Sequence, residues 1–459
     1  MRKNNHAIRD MTQGSISRHL LAFAMPLFLG SLLQQFYNMV DSWVVGQFVS
    51  ESALAAVGMG FSVIFMFTAL FLGISNGTTV VIAQYYGAGR MERVRDVVDT
   101  VYTFFAVAAI PITIGSMLLT KPLLILMRVQ PDAFADAKLY LLIVCAGIVG
   151  NIGYNVNSGI LQGLGNSRAS LIFLAISAVM NIILDLVFVL VFHWGVAGVA
   201  IATITAQACS WLFGIWYINR NYSEFAIRPF CKRFDKLIFK QIMGIGLPAG
   251  IQFAVISVGI MAVMSQVNAF GTSYMAGFNV GSKLDSVAFL PIQSIAFAGT
   301  TFVGQNIGAG NHSRVRRGSV LTLLYGLIWC LAMVLILYPN RYIASTIFTS
   351  AGATMVGSAL YLKCILPLYP FFAIQFTLCN IMRGAGEGVI PLVVALVAQL
   401  IIRIPAVYLL AHFYGVNYMY YGFGIGWVAG ALISAVYYIS GRWKRHRTMA
   451  EMDDAQNLM

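Results

Sequence analysis

The stretch YNMVD at residues 37–41 places an acid inside a long apolar run that begins near Leu20. Apart from Asp41, no residue between Leu20 and Val45 carries a formal charge. A helix of this length, rising about 1.5 Å per residue, crosses a bilayer. A carboxylate at that depth costs several kcal/mol unless it is protonated, paired or bound to a cation. The stretch therefore predicts a membrane-spanning helix that carries a functional acid.

The whole chain has the composition of a polytopic membrane protein. Of its 459 residues, 59% are hydrophobic and 10% are charged, and the mean hydropathy is +0.79, which is outside the range of soluble globular proteins. We therefore expect an all-α integral membrane fold with about twelve transmembrane helices. The predicted spans are 20–45, 53–80, 97–119, 138–160, 169–192, 196–218, 243–268, 276–303, 318–339, 355–380, 390–412 and 423–441.

The net charge of +13 is distributed in a way that indicates membrane topology. If the N-terminus is inside, 22 of the 29 Lys and Arg residues fall on inside segments, which is the bias of cytoplasmic loops. A nucleic-acid partner is therefore not expected. We expect a multi-pass protein of the plasma (inner) membrane with both termini in the cytoplasm.

Two glycine motifs indicate that the halves of the chain repeat each other. They recur at a constant offset of 221 residues: QYYGAG at 84–89 with QNIGAG at 305–310, and GLG at 163–165 with GAG at 384–386. Pro26 similarly corresponds to Pro248 at an offset of 222. An offset that holds over such distances is a strong repeat signal.

The repeat predicts the domain organisation. Because each repeat has six helices, an even number, we expect two six-helix lobes related by a pseudo-twofold axis along the membrane normal. The expected domains are an N-terminal lobe at 1–218, a cytoplasmic linker at 219–240 and a C-terminal lobe with a short cytoplasmic tail at 241–459.

No motif in the chain indicates a cofactor. The glycine loops neither follow a strand nor carry the Lys-Ser/Thr of a P-loop, so we interpret them as turns that end helices. The six cysteines include no C-x-x-C pair and are expected to be small packing residues. If such a two-lobe membrane protein is a transporter, the absence of a nucleotide-binding motif implies that an ion gradient drives transport.

A second acid, Asp185, lies in the later apolar run from Leu171 to Phe192. With the N-terminus inside, the first and fifth spans both run outward, so Asp41 and Asp185 reach a comparable depth and can share one cavity. Asn181 lies one helical turn before Asp185, and Tyr37 lies one turn before Asp41. We therefore predict an ion site in the first lobe.

Further polar residues of the same lobe extend this site. Thr203 adds a hydroxyl, and possible supporting amides come from Asn151, Asn155 and Asn157. Carboxylate, amide and hydroxyl oxygens suit a small hard cation, and two neighbouring carboxylates also suit a proton. The alternative is that Asn181 and Asp185 only bond neighbouring helices. Two intramembrane acids in one lobe favour the ion site.

Six features of the chain together resemble the multidrug and toxic compound extrusion (MATE) family. They are Pro26, YNMVDSWVVG at 37–46, ALAAVG at 53–58, the QYYGAG loop at 84–89, LQGLG at 161–165 and NIILD at 181–185. The resemblance extends from about residue 12 to residue 440. It implies a two-lobe antiporter that expels amphipathic, often cationic compounds in exchange for H⁺ or Na⁺.

The resemblance also implies a branch of the family. In the DinF-like branch the coupling ion binds an Asp of the first helix, an Asn and an Asp of the fifth and a Thr of the sixth. These positions fall here on Asp41, Asn181, Asp185 and Thr203. The NorM-like branch also uses acids of the seventh and tenth helices, whereas residues 247–268 and 365–382 contain no Asp or Glu. A coupling site in the second lobe is therefore not expected.

The second lobe nevertheless contains Lys283, Asp285 and Arg403 within its apolar spans. We expect Lys283 and Asp285 to compensate each other or to meet Arg403 across the lobe, and the alternative is a role in gating or substrate choice.

Two other functions remain open at this point. A flippase for lipid-linked sugars would favour a more basic cavity than Lys283 and Arg403 provide. An intramembrane aspartyl protease also uses two Asp residues, but neither acid lies in a Gly-x-Gly-Asp setting. The expected partners are small amphipathic substrates and the lipid bilayer, and we expect a monomer that is not an enzyme.

Overall fold

The computed structural model describes residues 9–127, 129, 131–228, 233–349, 351–445 and 448–457. Within these residues, eleven helices are long and apolar enough to cross a membrane, and the number is twelve if one further pair of bent helices is taken as a single span. The predicted all-α fold with about twelve transmembrane helices is confirmed. Cys231, one of the expected packing cysteines, lies outside the described residues.

The long helices follow the predicted apolar runs. Those of the first half are α1 Ile16–Phe48, α2 Glu51–Gly87, α3 Met91–Leu126, α4 Pro131–Ala146, α5 Ile148–Gly163, α6 Ser167–Leu186 and α7 Gly195–Asn221. The α-helices of the second half, short ones included, are α8 Lys236–Asn268, α9 Thr272–Gly308, α10 His312–Leu337, α11 Arg341–Thr346, α12 Gly352–Ile365, α13 Tyr369–Gly384, α14 Val389–Ala395, α15 Ile404–Tyr414, α16 Val416–Met419, α17 Tyr421–Ile439 and α18 Met449–Asn457.

The fourth and tenth spans are interrupted. In the fourth, α4 and α5 meet at Gly147 with a bend of 49°. A Cβ at Gly147 would lie 2.4 Å from the side chain of Ile204, so the close packing of α7 against this bend requires glycine. In the tenth, the 3₁₀ turn Leu366–Leu368 separates α12 from α13 and contains Pro367. A proline inside a helix removes a backbone donor, which accounts for this break.

The chain forms two compact units. Unit 1 comprises Met1–Asp10 and Leu29–Leu247, and unit 2 comprises Met11–Phe28 and Pro248–Met459. The boundaries cut α1 and α8 within their lengths, and each cut lies close to a proline, Pro26 or Pro248. The boundaries of the units therefore differ from those of the domains expected from sequence at 1–218, 219–240 and 241–459. The expected domains stay a prediction. The difference arises because the N-terminal segment of α1, up to Phe28, packs in unit 2, and that of α8, up to Leu247, packs in unit 1.

Arg314 holds the segment before α1 within unit 2. Its guanidinium donates hydrogen bonds to the carbonyls of Gly14 (2.9 Å), Met11 (3.0 Å) and Gln13 (3.2 Å), and its Nε donates to Asn306 Oδ1 (3.1 Å). Met11 is fully buried. Arg314 therefore fixes the start of α1 mainly through backbone acceptors.

Arg93 occupies the same repeat position in unit 1, 221 residues before Arg314. Its Nη1 lies 2.9 Å from Asp235 Oδ2. The other carboxylate oxygen of Asp235 accepts hydrogen bonds from the N–H groups of Leu237 (2.8 Å) and Ile238 (3.1 Å). Asp235 thus caps the first turn of α8, and Arg93 fixes that cap by an ion pair.

Tertiary contacts inside the units follow the same repeat. In unit 1 the Thr79 hydroxyl donates to the carbonyl of Gly159 at 3.0 Å. In unit 2 the Thr300 hydroxyl donates to the carbonyl of Asn380 at 3.0 Å, and both residues lie 221 positions later. The repeat is therefore a repeat of packing as well as of sequence.

The QYYGAG and QNIGAG loops end α2 and α9. Gly89 and Gly310 follow these helices with φ angles of 73° and 69°, in the left-handed region that favours glycine. This conformation turns the chain after a helix, as the sequence interpretation expects.

Candidate functional site

Asp41 and Asp185 meet inside unit 1. Asp41 lies on α1 and is 2% exposed, and Asp185 lies at the end of α6 and is fully buried. Their carboxyl groups lie close enough together to interact electrostatically. Two ionised carboxylates have no hydrogen to donate, so a hydrogen bond between them forms only when the pair holds a proton. The structure thus brings together the two acids that the sequence places at similar depth.

Several oxygen atoms around the pair have no protein donor among the described residues. They are Asp41 Oδ1, both carboxylate oxygens of Asp185 and the amide oxygen of Asn181. Buried oxygens without a donor are costly because they lose the hydrogen bonds that water supplies. A bound proton or a small hard cation satisfies such a set of acceptors.

Asn181 and Thr203 lie beside each other. The Asn181 amide nitrogen is 3.5 Å from the Thr203 hydroxyl oxygen, and that hydroxyl donates to the carbonyl of Val199 at 3.0 Å. The amide nitrogen therefore faces Thr203, which leaves the amide oxygen free to act as a ligand. The chemistry of the four predicted residues fits a proton or a Na⁺ ion.

Three tyrosines complete the surroundings of the acids, and sequence reasoning identified only Tyr37. Tyr37 lies within electrostatic range of Asp41, Tyr154 and Asp185. Tyr140, which is buried, lies within range of both acids and of Tyr37. Tyr140 and Tyr154 belong to the bent span of α4 and α5. An aromatic residue in an apolar run resembles a lipid-facing one, so composition alone does not single them out.

The three predicted supporting amides make other contacts. Asn155 Nδ2 donates to the carbonyl of Asn151 (2.9 Å) and to its side-chain oxygen (3.3 Å). Asn157 donates to the carbonyl of Trp211 (3.0 Å) and accepts from the hydroxyl of Tyr102. Asn151 and Asn155 therefore pair with each other, and Asn157 joins α5 to α3 and α7.

In unit 2 the structure brings together two of the three predicted charged residues. The Tyr361 hydroxyl donates to Asp285 Oδ2 at 3.3 Å, and Arg403 acts on the Asp285 carboxylate electrostatically. Lys283 is exposed, and its Nζ lies 5.6 Å from the centre of the Phe348 ring. Residues two apart on a helix point to different sides, which explains why Lys283 and Asp285 separate.

One sequence signal would have identified Tyr140, one of the two missed tyrosines. Tyr140 and Tyr361 are 221 residues apart, which is the offset of the glycine loops. Each ring lies against a glycine, Gly60 or Gly281, whose Cβ would approach a ring carbon to 2.6 Å. Applying the offset along the whole chain therefore finds both residues.

The profile of the MatE family matches the chain twice, at residues 26–187 and at residues 248–409. This chain belongs to the MatE family. The two matches begin at Pro26 and Pro248, so they reproduce the internal repeat. Members of the MATE family are transporters, and the chain is accordingly a multi-pass membrane transporter and not an enzyme. The aspartyl protease alternative is thereby excluded.

Named relatives of this MATE protein match it over nearly their whole length. It is 31% identical to the probable multidrug resistance protein YpnP of Bacillus subtilis, with 96% of this chain and 99% of that protein covered. It is 26% identical to a probable multidrug resistance protein NorM of Thermotoga maritima, with 95% and 94% covered. The resemblance found from motifs is therefore confirmed at the level of the family.

Solved structures show the same fold. A MATE multidrug transporter of the MOP superfamily in an outward-facing conformation has a TM-score of 0.89 at 22% identity, with 95% of this chain and 98% of that chain covered. A mutant of the MATE transporter VcmN from Vibrio cholerae has a TM-score of 0.87 at 21% identity, with 93% and 97% covered. At these identities the likeness supports the fold alone.

Proposed function

We propose that this MATE protein is an H⁺- or Na⁺-coupled antiporter of the DinF-like branch that exports amphipathic, often cationic compounds by alternating access. Its coupling ion binds at Asp41, Asn181, Asp185 and Thr203 in unit 1. The names of the relatives, all probable multidrug resistance proteins, support the substrate class. The protein acts as a monomer in the plasma (inner) membrane with both termini in the cytoplasm.

The observation that carries the proposal is the proximity of Asp41 and Asp185. Two buried carboxyl groups lie within electrostatic range of each other, and three of their oxygens, Asp41 Oδ1 and both of Asp185, have no protein donor among the described residues. An acid pair that only joined helices would have its oxygens paired with protein donors. The unsatisfied acceptors therefore favour a site that holds an exchangeable cation.

The charge of this pair supplies the coupling. When the proton or Na⁺ leaves, two carboxylates face each other, and at about 4 Å their repulsion is about 4 kcal/mol for an effective dielectric constant near 20. This energy favours rearrangement of α1 against α6, or the return of a cation. A cationic substrate and the coupling ion then compete for the same negative field, which is the requirement for exchange.

Efflux from proteoliposomes with separately imposed gradients tests this function. A cationic dye should leave the vesicles when either a pH gradient or a Na⁺ gradient is imposed, and retention should be complete when both are absent. Equal efflux with and without the gradients would contradict coupling. Failure to move the dye, together with translocation of a lipid-linked sugar, would instead support the flippase alternative.

The topology has its own test. Cysteines introduced at Asn311 and Asn417, in a variant without the native cysteines, should react with an impermeant label from opposite sides of the membrane. We expect Asn311→Cys to be labelled only from the cytoplasm and Asn417→Cys only from outside. The reverse pattern would overturn the orientation, although the meeting of Asp41 and Asp185 inside unit 1 would stand.

A further inference from the structure

Unit 2 contains a structural counterpart of the ion site of unit 1. Tyr361 takes the repeat position of Tyr140, and Gly281 takes that of Gly60. The two tyrosine–glycine pairs pack in the same way: in each, a Cβ added to the glycine would lie 2.6 Å from a ring carbon of the tyrosine. The tyrosine that borders the acids in unit 1 thus has an equivalent in unit 2, where its hydroxyl donates to Asp285.

The charges at the equivalent positions differ. At the offset of 222 given by both ends of the family matches, Asp41 corresponds to Val263 and Asp185 to Val407. Both valines are fully buried in one apolar cluster. At the same offset, Asn181 corresponds to Arg403, which is 4% exposed. Unit 2 therefore replaces the two acids by apolar groups and the amide by a cation.

Arg403 is held within the interior of unit 2. Its guanidinium lies 3.8 Å from the centre of the Phe423 ring and 5.8 Å from that of Trp427. Its Nη1 donates to the Gln399 side chain, one turn earlier in the π-helical segment Leu396–Arg403. The wide π turn ends at Arg403 and presents it to the aromatic rings. A guanidinium remains charged in proteins, so this cation is permanent.

The permanent cation acts on Asp285. Asp285 Oδ2 accepts from Tyr361, the Tyr369 hydroxyl donates to the Asp285 backbone carbonyl at 3.3 Å, and Oδ1 has no protein donor among the described residues. Arg403 lies within electrostatic range of the carboxylate. The other titratable groups near this cluster are Cys330, beside Tyr369, and Tyr420, beside Tyr361.

We propose that Arg403 is a tethered cation that takes the place of an exchangeable ion in unit 2. Asp285, Tyr361 and Tyr369 then form a masked cation site, and removing the arginine charge exposes it to H⁺ or Na⁺. The proposal rests on the proposed function, because it treats the site of unit 1 as the ion site. It explains physically why one unit exchanges an ion while the other unit keeps a fixed charge.

Ion-dependent thermal stability in detergent tests the proposal without a transport assay. The background is Asp41→Asn combined with Asp185→Asn, in which the site of unit 1 is neutral and Tm should not respond to Na⁺ or to mild acid. Adding Arg403→Gln should create a response, with Tm rising by about 2 °C in Na⁺ or at acid pH. Adding Asp285→Asn should remove that response again.

Each part of this experiment has a distinct meaning. A folded Arg403→Gln variant without any ion response would overturn the tethered cation, as would a response that survives Asp285→Asn. The control Arg403→Lys keeps the charge and should behave like the background. A response already present in the background would count against the proposed ion site of unit 1, so the two failures are distinguishable.

A second measurement applies if Arg403→Gln does not fold. The loss would then come from an uncompensated Asp285 carboxylate, so Arg403→Gln combined with Asp285→Asn should restore folded protein because both charges are removed. If the double variant remains as unstable as Arg403→Gln alone, Arg403 does not serve Asp285 and the proposal is wrong.

Discussion

Units 1 and 2 share internal contacts at equivalent repeat positions but bury different side chains at the positions of the acid pair. The Thr79 and Thr300 hydrogen bonds coincide in length and repeat position, and so do the contacts of Tyr140 and Tyr361 with their glycines. At the ion site, by contrast, unit 1 buries a pair of acids, whereas unit 2 buries two valines and an arginine. The repeat therefore determines where a buried polar site lies, and a few side chains determine what it binds.

The difference has an energetic reason. A buried carboxylate without a donor is unfavourable unless a cation or proton occupies the site, so the proposed function makes the state of unit 1 depend on the surrounding ion concentrations. A buried arginine beside a carboxylate compensates it at all times. Under the two proposals made above, the asymmetric pair of units has one variable charge and one fixed charge.

The largest expected effect follows from neutralising the acids of unit 1. Asp41→Asn or Asp185→Asn should reduce gradient-driven dye efflux to the level of dye-loaded vesicles that lack the protein. The reason is that an amide neither exchanges a proton nor offers a carboxylate to Na⁺. Substrate binding should survive, since the neutral side chains resemble a protonated pair. Efflux normalised to protein abundance measures this.

The matched control is Asp99→Asn, which changes another buried acid of unit 1 on α3. Asp99 lies 4.0 Å from Arg95 and not at the acid pair, so its variant should keep most of the efflux. If Asp99→Asn and Asp41→Asn reduce efflux equally, the reduction is a general effect of neutralising a buried acid and is not specific to the ion site.

The next effect concerns the acid of unit 2. Asp285→Asn leaves the Arg403 charge buried and uncompensated, which costs about 3–5 kcal/mol and should lower abundance and Tm. Efflux per folded molecule should remain close to that of the unchanged protein. Normal abundance combined with abolished efflux would show that coupling depends on unit 2.

Lys283→Gln is the control. The free energy of unfolding should change by under about 0.5 kcal/mol because this side chain is exposed.

A smaller effect is expected for the amide of the ion site. Asn181→Ala removes one oxygen ligand and the contact with Thr203 but keeps both acids, so the apparent affinity for the coupling ion should fall about tenfold, or about 1.4 kcal/mol. Ion titrations of the initial efflux rate measure the shift. An effect as large as that of Asp41→Asn would show that Asn181 does more than provide a ligand.

The smallest effects on transport are expected for the arginines that fix the starts of α1 and α8, whose replacement should act on stability. Arg314→Ala removes four hydrogen bonds around buried Met11 and should cost about 2 kcal/mol, whereas Arg93→Ala removes a partly exposed ion pair and should cost under about 1 kcal/mol. Thermal unfolding compares the two. Neither variant should change the substrate spectrum, and a clean change at normal abundance would contradict a structural role.

Local sequence was sufficient to locate the acids but not their neighbours. Asp41 and Asp185 stand out because each interrupts a long apolar run, and charge in such a run is rare for energetic reasons. Tyr140 does not stand out, because aromatic side chains occur equally well in packed helix interfaces, at lipid-facing positions and beside an acid. Asn157 was grouped with the acids because of its position along the chain, but its contacts are with Tyr102 and Trp211.

The sequence by itself determined the twelve spans, the repeat and the identity of the two acids, because hydropathy, offset and intramembrane charge are properties of the chain read in order. Only the tertiary structure decided that Asp41 and Asp185 lie within electrostatic range of each other, that Arg403 and not Lys283 lies near Asp285, and that α1 and α8 are divided between the units. The physical reason is that these outcomes depend on bends and on helix rotation. A bend of 49° or a change of helix face alters which side chains meet while leaving the hydropathy of the run unchanged.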